Sequence, residues 1–298
     1  MKKALSISLG SSKRDHTTVI KLLDQEIELS RFGTDGDVKK AKELFRYYDG
    51  KVDCMGLGGM TFKFCMEKER YLRSAFRIVK DVKQTPVVDG ANLKRTLEGN
   101  LLQYVKKEFN LDFGEKTCFL NSAVDRYSLA TSFQKEGFEI TFGDFMFILG
   151  LPFPVKKLRK IEILAAVLMP LLSIAPVSWL YPTGKKQERS QNKYANHYAE
   201  NHFIAGDFLY IKQYMPPELK GKIIVTNTTT AEDVETLRKA GVSYLITSTP
   251  VLEGRSFGTN VFEAALVAAS GEKRVLETCE LEELLKKINY KPRVEKLN

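Results

Sequence analysis

Short β-branched and aliphatic runs alternate along this chain with longer amphipathic segments, and polar turns separate them. Lys3 to Leu9 reads as a strand ending in the polar loop Gly10-Ser11-Ser12-Lys13-Arg14-Asp15-His16. Thr17 to Leu23 and Glu26 to Arg31 alternate in polarity and form a hairpin about Asp24-Gln25. Gly33 to Asp37 is a turn, and Asp37 is placed to cap a helix over Val38 to Tyr48. A strand over Lys51 to Met55 precedes Gly56-Leu57-Gly58-Gly59, which reads as a tight turn or, less readily, a cofactor loop, because Thr61 to Met66 is strand-like rather than helical. Helices over Tyr71 to Asp81 and Leu93 to Phe109, the second with Asn92 as cap, enclose a short strand, Thr85 to Val88.

From Lys116 the alternation is regular. Strands over Thr117 to Leu120, Phe138 to Phe142, Phe203 to Ala205, Lys222 to Thr226 and Ser243 to Thr247 are interleaved with helices over Arg126 to Lys135, Phe208 to Tyr214, Ala231 to Ala240 and Asn260 to Ala269. The expected fold class is therefore α/β with two αβ domains, the second a doubly wound, mainly parallel, Rossmann-like sheet. The expected boundaries are 1–112 for a mixed first domain, 113–275 for the second with a helical insertion near 150–200, and 276–298 for a helix, Leu281 to Ile288, that packs back.

Ligands of open parallel sheets bind beyond the carboxyl ends of the strands. Here those ends carry Asn121 to Arg126, Gly143-Asp144, Gly206-Asp207, Asn227 to Thr230 and Ser248-Thr249. Asp125 and Thr230 sit where helix caps belong. Asp144 follows the first loop at about the spacing at which a Rossmann unit holds a ribose hydroxyl. The loop Gly254-Arg255-Ser256-Phe257-Gly258 runs into a helix that Thr259 or Asn260 is placed to cap, with Glu263 in its first turn and Gly271 just past its end. It reads equally as a simple turn or as an anion site made by backbone N–H groups, the helix dipole and Arg255. Asp35, Asp37, Asp89 and Lys94 gather at turns of the first half in the same manner, and Lys185 and Lys186 lie in a polar loop ahead of a helix.

Composition narrows the picture. The 298 residues carry a net charge of +9, spread along the length without an arginine-rich arm, so nucleic acid is not an expected partner. A solvated basic surface or an anionic small molecule accounts for the charge. Cys54, Cys65, Cys118 and Cys279 are far apart, and no metal-ligand spacing occurs, so the thiols are expected free and no metal is expected. The start is too short and strand-like for a signal peptide, which points to the cytosol. The run Ile163 to Tyr181 is nearly uncharged but interrupted by Pro170 and Pro176. It reads as a buried helical pair or a homodimer surface, with a membrane-surface patch as the alternative and no transmembrane span expected.

Seven motifs together resemble a bacterial family labelled quinate 5-dehydrogenase, or shikimate/quinate 5-dehydrogenase. They are Ser8 to Ser12 with Arg14-Asp15-His16, Gly33 to Asp37, Gly56 to Gly59, Val88-Asp89-Gly90, Tyr181 to Gly184, Ala205 to Phe208 and Gly254 to Asn260. The resemblance implies NAD- or NADP-linked oxidation of a polyhydroxy cyclic acid. In that form Asp89, Lys94, Lys185 and Asp207 are the catalytic candidates. Asp125, Asp144, Asn227, Thr228, Gly254, Arg255, Ser256, Gly258, Thr259 and Asn260 would hold the cofactor, and Ser11, Ser12, Arg14, Asp35 and Lys186 the substrate. A non-redox transferase or lyase, or a ligand-binding protein for a phosphorylated or carboxylated molecule, remains the alternative.

Overall fold

The computed structural model describes residues 1–173, 193–252 and 255–298, and of 171–172, 251–252 and 255–256 the backbone alone. Two units divide the chain. The first is Met1–Thr96, Met169–Gln187 and Phe257–Tyr290; the second is Leu97–Leu168, Glu188–Ser256 and Lys291–Asn298.

In the first unit β1 (Lys2–Ser8) lies between β3 (Gln25–Gly33) and β4 (Cys54–Gly58), parallel to both, and β7 (Val87–Val88) continues the sheet beyond β4. β2 (His16–Leu22) closes the other edge by an antiparallel hairpin with β3. That hairpin turns at Leu23 and Asp24, both at positive φ, the conformation a two-residue hairpin loop requires. Asp37 caps α1 (Val38–Tyr48) by accepting the Lys40 N–H at 3.0 Å. A two-residue ribbon, β5 (Lys63–Phe64) with β6 (Arg70–Tyr71), and α2 (Arg73–Val79) precede β7. The segment expected as one helix over Leu93 to Phe109 is two, α3 (Ala91–Glu98) and α4 (Leu101–Phe109), because the chain breaks helical geometry at Gly99-Asn100. Asn92 is not their cap; its side chain donates to the Leu276 carbonyl.

The second sheet follows the alternation of the sequence. β8 (Thr117–Leu120), α5 (Tyr127–Lys135) and β9 (Glu139–Phe142) lead to α6 (Asp144–Ile148), α7 (Leu158–Leu172) and α8 (Ala195–Glu200). β10 (Phe203–Ala205), α9 (Phe208–Tyr214), β11 (Ile223–Thr226), α10 (Ala231–Lys239) and β12 (Tyr244–Thr247) complete the winding. The order is β9-β8-β10-β11-β12, all parallel, with the direction of travel across the sheet reversing between β8 and β10. Phe119, Ile204, Ile224 and Leu245 pack with Phe208, Ile211 and Leu237 on one face. The alternate residue Phe203 meets Phe113, Phe133 and Phe138 on the other, so both faces are covered. β13 (Val251–Leu252) and β14 (Arg255–Ser256) form a small hairpin, and β15 (Arg293–Lys296), which the sequence pattern did not mark, adds an antiparallel edge to β12.

Two expectations need correcting here. The helix α11 (Thr259–Ser270) belongs to the first unit, not to the domain ending at 275, and α12 (Thr278–Lys287) lies with it. Nearly every residue of α11 is buried, as a helix apolar on all sides must be. Nor is the Gly56 to Gly59 run a turn between strands: Gly56 and Gly58 lie inside β4, and Gly59 alone turns, at φ +75°. A Cβ at Gly56 would stand 2.7 Å from the Asn260 carbonyl oxygen, and one at Gly90 2.5 Å from the Asn260 nitrogen. Gly56 and Gly90 let the start of α11 rest directly on β4 and on the turn after β7, so a packing role accounts for them.

Replacing Gly56 by Ala should therefore cost about 1–3 kcal/mol through overpacking against backbone. Gly271→Ala meets open space at φ +77°, and only the left-handed backbone cost of about 1–2 kcal/mol applies. Urea unfolding of the two variants checks the ranking; equal, small losses would mean that α11 does not press on β4.

Candidate ligand site at the carboxyl ends of the strands

In the second unit the strand order reverses between β8 and β10, the kind of position at which open α/β sheets hold their ligands. Asn121 follows β8 and bridges the two strands: its Nδ2 donates to the Asp207 carbonyl at 3.0 Å, and its Oδ1 accepts the Asp207 N–H at 3.2 Å. This bridge needs a glycine at 206, where any Cβ would overlap the Asn121 side chain and φ is +131°. Asp207 then caps α9 by accepting the Leu209 N–H at 2.9 Å. Its other oxygen accepts from Arg126 at 3.0 Å and from Asn227 Nδ2 at 3.2 Å. Thr228 and Thr249 meet through their hydroxyls at 3.2 Å, and Thr249 Oγ1 donates to the Asn227 carbonyl at 2.7 Å.

Arg126 stands beneath this group with its side chain 2% exposed. It is ion-paired to the buried Glu98 and, at 3.4 and 3.0 Å, to Asp125 and Asp207. Burial opposes its charge, but the carboxylates outweigh burial and hold the guanidinium above its ordinary pKa. The side chains of Asp125 and Asp207 remain 27% and 26% exposed, so this ion network reaches the surface there.

Asp144 has another part. Its carboxylate is buried and accepts the N–H groups of Ala123 and Val124 at 3.0 and 2.9 Å. Burial raises its pKa to about 6 against the pull of those hydrogen bonds. The loop after β8, where a Rossmann unit would receive a diphosphate, is thus filled from within by a carboxyl group, and Asp144 does not present itself to a ribose.

The first unit repeats this device. Glu263 of α11, 1% exposed, accepts the N–H groups of Leu93, at 3.2 Å, and Gly90. Burial, with Asp89 nearby, lifts its pKa to about 8. Asp89 is itself occupied: it accepts from Thr61 Oγ1 at 2.5 Å, from the Ala91 N–H at 3.0 Å and from the Phe62 N–H. Lys94 lies on α3 in the same unit. Asp35 accepts the Ser12 N–H at 2.8 Å, and that bond holds its carboxyl below the usual range. Ser11 starts the single 3-10 turn Ser12–Arg14. Arg14 and Arg31 converge on Gly10, where a Cβ would lie 2.7 and 3.2 Å from their Nη2 atoms. Arg31 is answered by Asp15 at 2.8 Å; burial first, then repulsion from Arg14, lowers its pKa.

The structure thus gathers Asp125, Asp207, Asn227 and Thr228 in one unit. Gly258, Thr259 and Asn260 belong to the other, so the expected cofactor set is divided. Gly258, not Thr259 or Asn260, is the cap of α11, and Asn260 Nδ2 donates to Ser6 Oγ at 2.6 Å. Asp125 does not cap α5, whose cap position is Arg126. Thr230 does cap α10, in a reciprocal box with Asp233. Lys185, Lys186, Gly254, the side chains of Arg255 and Ser256, and the part of the Ile163 to Tyr181 run beyond Ser173 lie outside the described residues. Sequence reasoning passed over Glu98 and the buried role of Glu263. A carboxylate inside the apolar run Val261 to Ala269 was the available signal for the latter.

Residues 92–297 match the family described as Domain of unknown function (DUF8754), and the chain belongs to that family. Residues 3–89 match Domain of unknown function (DUF8753). No curated protein matches. Among solved structures, shikimate 5-dehydrogenase from Thermus thermophilus in complex with shikimate is similar, with 10% identity, a TM-score of 0.38, and 96% of this chain and 98% of that one covered. An NAD-dependent malic enzyme from Thermotoga maritima gives 11%, 0.36, 96% and 84%. A galactofuranose binding protein gives 13%, 0.39, 97% and 100%. Likeness at this level says nothing of what this chain binds.

Two outcomes follow from the buried charges. Arg126→Met leaves Glu98 buried without its cation and should cost about 3–5 kcal/mol. Adding Glu98→Leu should recover most of that loss, read by chemical denaturation; no recovery would mean the pair is not coupled. Glu263 has a folded pKa above its ordinary 4.5, so its contribution is complete below that value and vanishes as pH rises through about 8. Between those limits the loss is on the order of 5 kcal/mol, since each tenfold change in proton affinity is worth about 1.4 kcal/mol. Glu263→Gln should flatten this fall in a denaturation series against pH; an unchanged slope would assign the dependence elsewhere.

Proposed function

We propose that the second unit binds a small, uncharged, polyhydroxylated molecule at the carboxyl ends of β8, β10, β11 and β12. Asp207 is the residue that carries the reading. It is half-buried at the strand-order reversal and is oriented by Arg126, Asn227 and the Leu209 N–H. Each carboxylate oxygen has two lone-pair directions, and Asp125, Asn227 and Thr228 add acceptors and donors beside it. Hydroxyl groups pair with such a set without bringing charge.

An anion fits this place poorly. Glu98, Asp125 and Asp207 surround one arginine, and the loop N–H groups of Ala123 and Val124, which would cradle a phosphate, are taken by Asp144. For that reason the dehydrogenase reading, an NAD- or NADP-linked oxidation of a polyhydroxy cyclic acid, is the second one. What favours it is the 2-1-3-4-5 strand order, at whose reversal nucleotides also bind. In that form Asp207 would take the proton of the oxidised hydroxyl.

A thermal-shift titration separates the readings. Galactose, arabinose, quinate, shikimate, NAD, NADP and inorganic phosphate are added singly to the whole chain. A ligand at ten times its dissociation constant stabilises by about 1.4 kcal/mol, a readable shift. The expected result is a shift with one or more neutral sugars, absent with phosphate and lost in Asp207→Asn. A shift with NAD or NADP instead moves the assignment to the dehydrogenase form, and none with any polyol overturns the primary reading.

A further inference from the structure

Six of the fourteen large apolar side chains exposed among the described residues fall between Ile148 and Val167. Phe153, Ile163 and Val167 are 63%, 57% and 65% exposed. Ile163 and Val167 are one turn apart on α7, so they share its outer face, while Leu158, Ile161 and Ala165 face the core. Between the two apolar groups stand Lys156, Lys157, Arg159 and Lys160, all exposed. Lys156 meets Glu139 at 3.1 Å, in a pair open to water. Glu162, the nearest acid on α7, is turned to Tyr127.

This charge placement is costly for an isolated helix. Cations at a helix N-terminus oppose the dipole, and α7 has no acidic residue in its first turn. An anionic surface would relieve both the repulsion among the four cations and their clash with the dipole. The apolar side chains beside them protrude rather than line a groove, which suits entry into the boundary between headgroups and acyl chains. No helix among the described residues is long and apolar enough to cross a membrane, so the segment would lie on the surface.

We propose that the face formed by Leu149 to Val167 docks on anionic lipid membranes, with Lys157, Arg159 and Lys160 against the headgroups and Phe153, Ile163 and Val167 inserted beside them. This surface is made of residues other than those assigned to ligand binding, so its test stands apart from that of the ligand site.

The test is sedimentation of the whole chain with phosphatidylcholine vesicles, with and without about 30% phosphatidylserine. The expected result is binding to the anionic vesicles alone, weakening as salt rises over the Debye range. Each basic side chain is worth about fivefold in binding, so Lys157→Glu/Arg159→Glu/Lys160→Glu should lower it by about a hundredfold or more. Phe153→Ser/Val167→Ser should weaken it at unchanged melting temperature. The proposal is overturned if the protein stays in the supernatant, or if the charge-reversed variant sediments as the parent does. It is equally overturned if Phe153→Ser/Val167→Ser abolishes self-association on a sizing column while no vesicle binds, since the face would then join two copies.

Discussion

Close contact between α11 and β4 is the constraint from which the first unit follows. The helix backbone meets β4 at Gly56 and the β7–α3 turn at Gly90 with no side chain between them, so the helix sits where a Cβ would forbid it. Once seated, α11 places Glu263 under the start of α3, and Asn260 against Ser6 of the central strand. The buried Glu263 is then held by N–H groups of the β7–α3 turn, and that turn fixes Asp89 against Thr61. A residue 170 positions further along the chain than Leu93 thereby sets the geometry of the loop that follows β7.

The same constraint explains what could be read from the sequence and what could not. β8 and β10 were placed to the residue, and β11 and β12 within one, because they are short apolar strands bounded by turns in a regular alternation. The polar strand ends were legible too: Asn121, Asp125, Asp207 and Asn227 cluster because parallel strands put their carboxyl ends on one edge. The assignment of α11 was not legible. Its even apolarity shows that it is buried but does not say against which sheet. The glycines of β4 carry a turn signal in the sequence, because the helix that needs them lies far along the chain, over Thr259–Ser270. β15 reads Arg-Val-Glu-Lys, half-exposed on an edge, and gives no alternating apolar signal. The Glu98–Arg126 pair also depends on a helix break at Gly99-Asn100 that the continuous period of Leu93 to Phe109 conceals.

Both units solve one electrostatic problem in one way. A βα turn leaves N–H groups pointing at a common position, which in nucleotide-binding sheets is filled by phosphate. Here Asp144 fills it after β8 and Glu263 after β7, each from a helix elsewhere in its own unit. A carboxyl group in that position is partly neutralised by the N–H dipoles, yet burial still raises its pKa, to about 6 and about 8. The hydrogen bonds therefore do not fully replace lost water, and both groups favour the proton as the chain folds.

This internal occupation bears directly on ligand choice. A phosphate arriving at the β8 loop would have to take the Ala123 and Val124 N–H groups from Asp144 and leave that buried acid without them, at a cost of about 1–3 kcal/mol or more. It would also approach a cluster in which Arg126 is already shared among Glu98, Asp125 and Asp207. A hydroxyl group meets neither penalty, since it can donate to Asp207 or Asp125 and accept from the Asn227 amide without altering the ion network. The proposed preference for an uncharged ligand thus rests on the interior of the loop more than on the few side chains exposed around it.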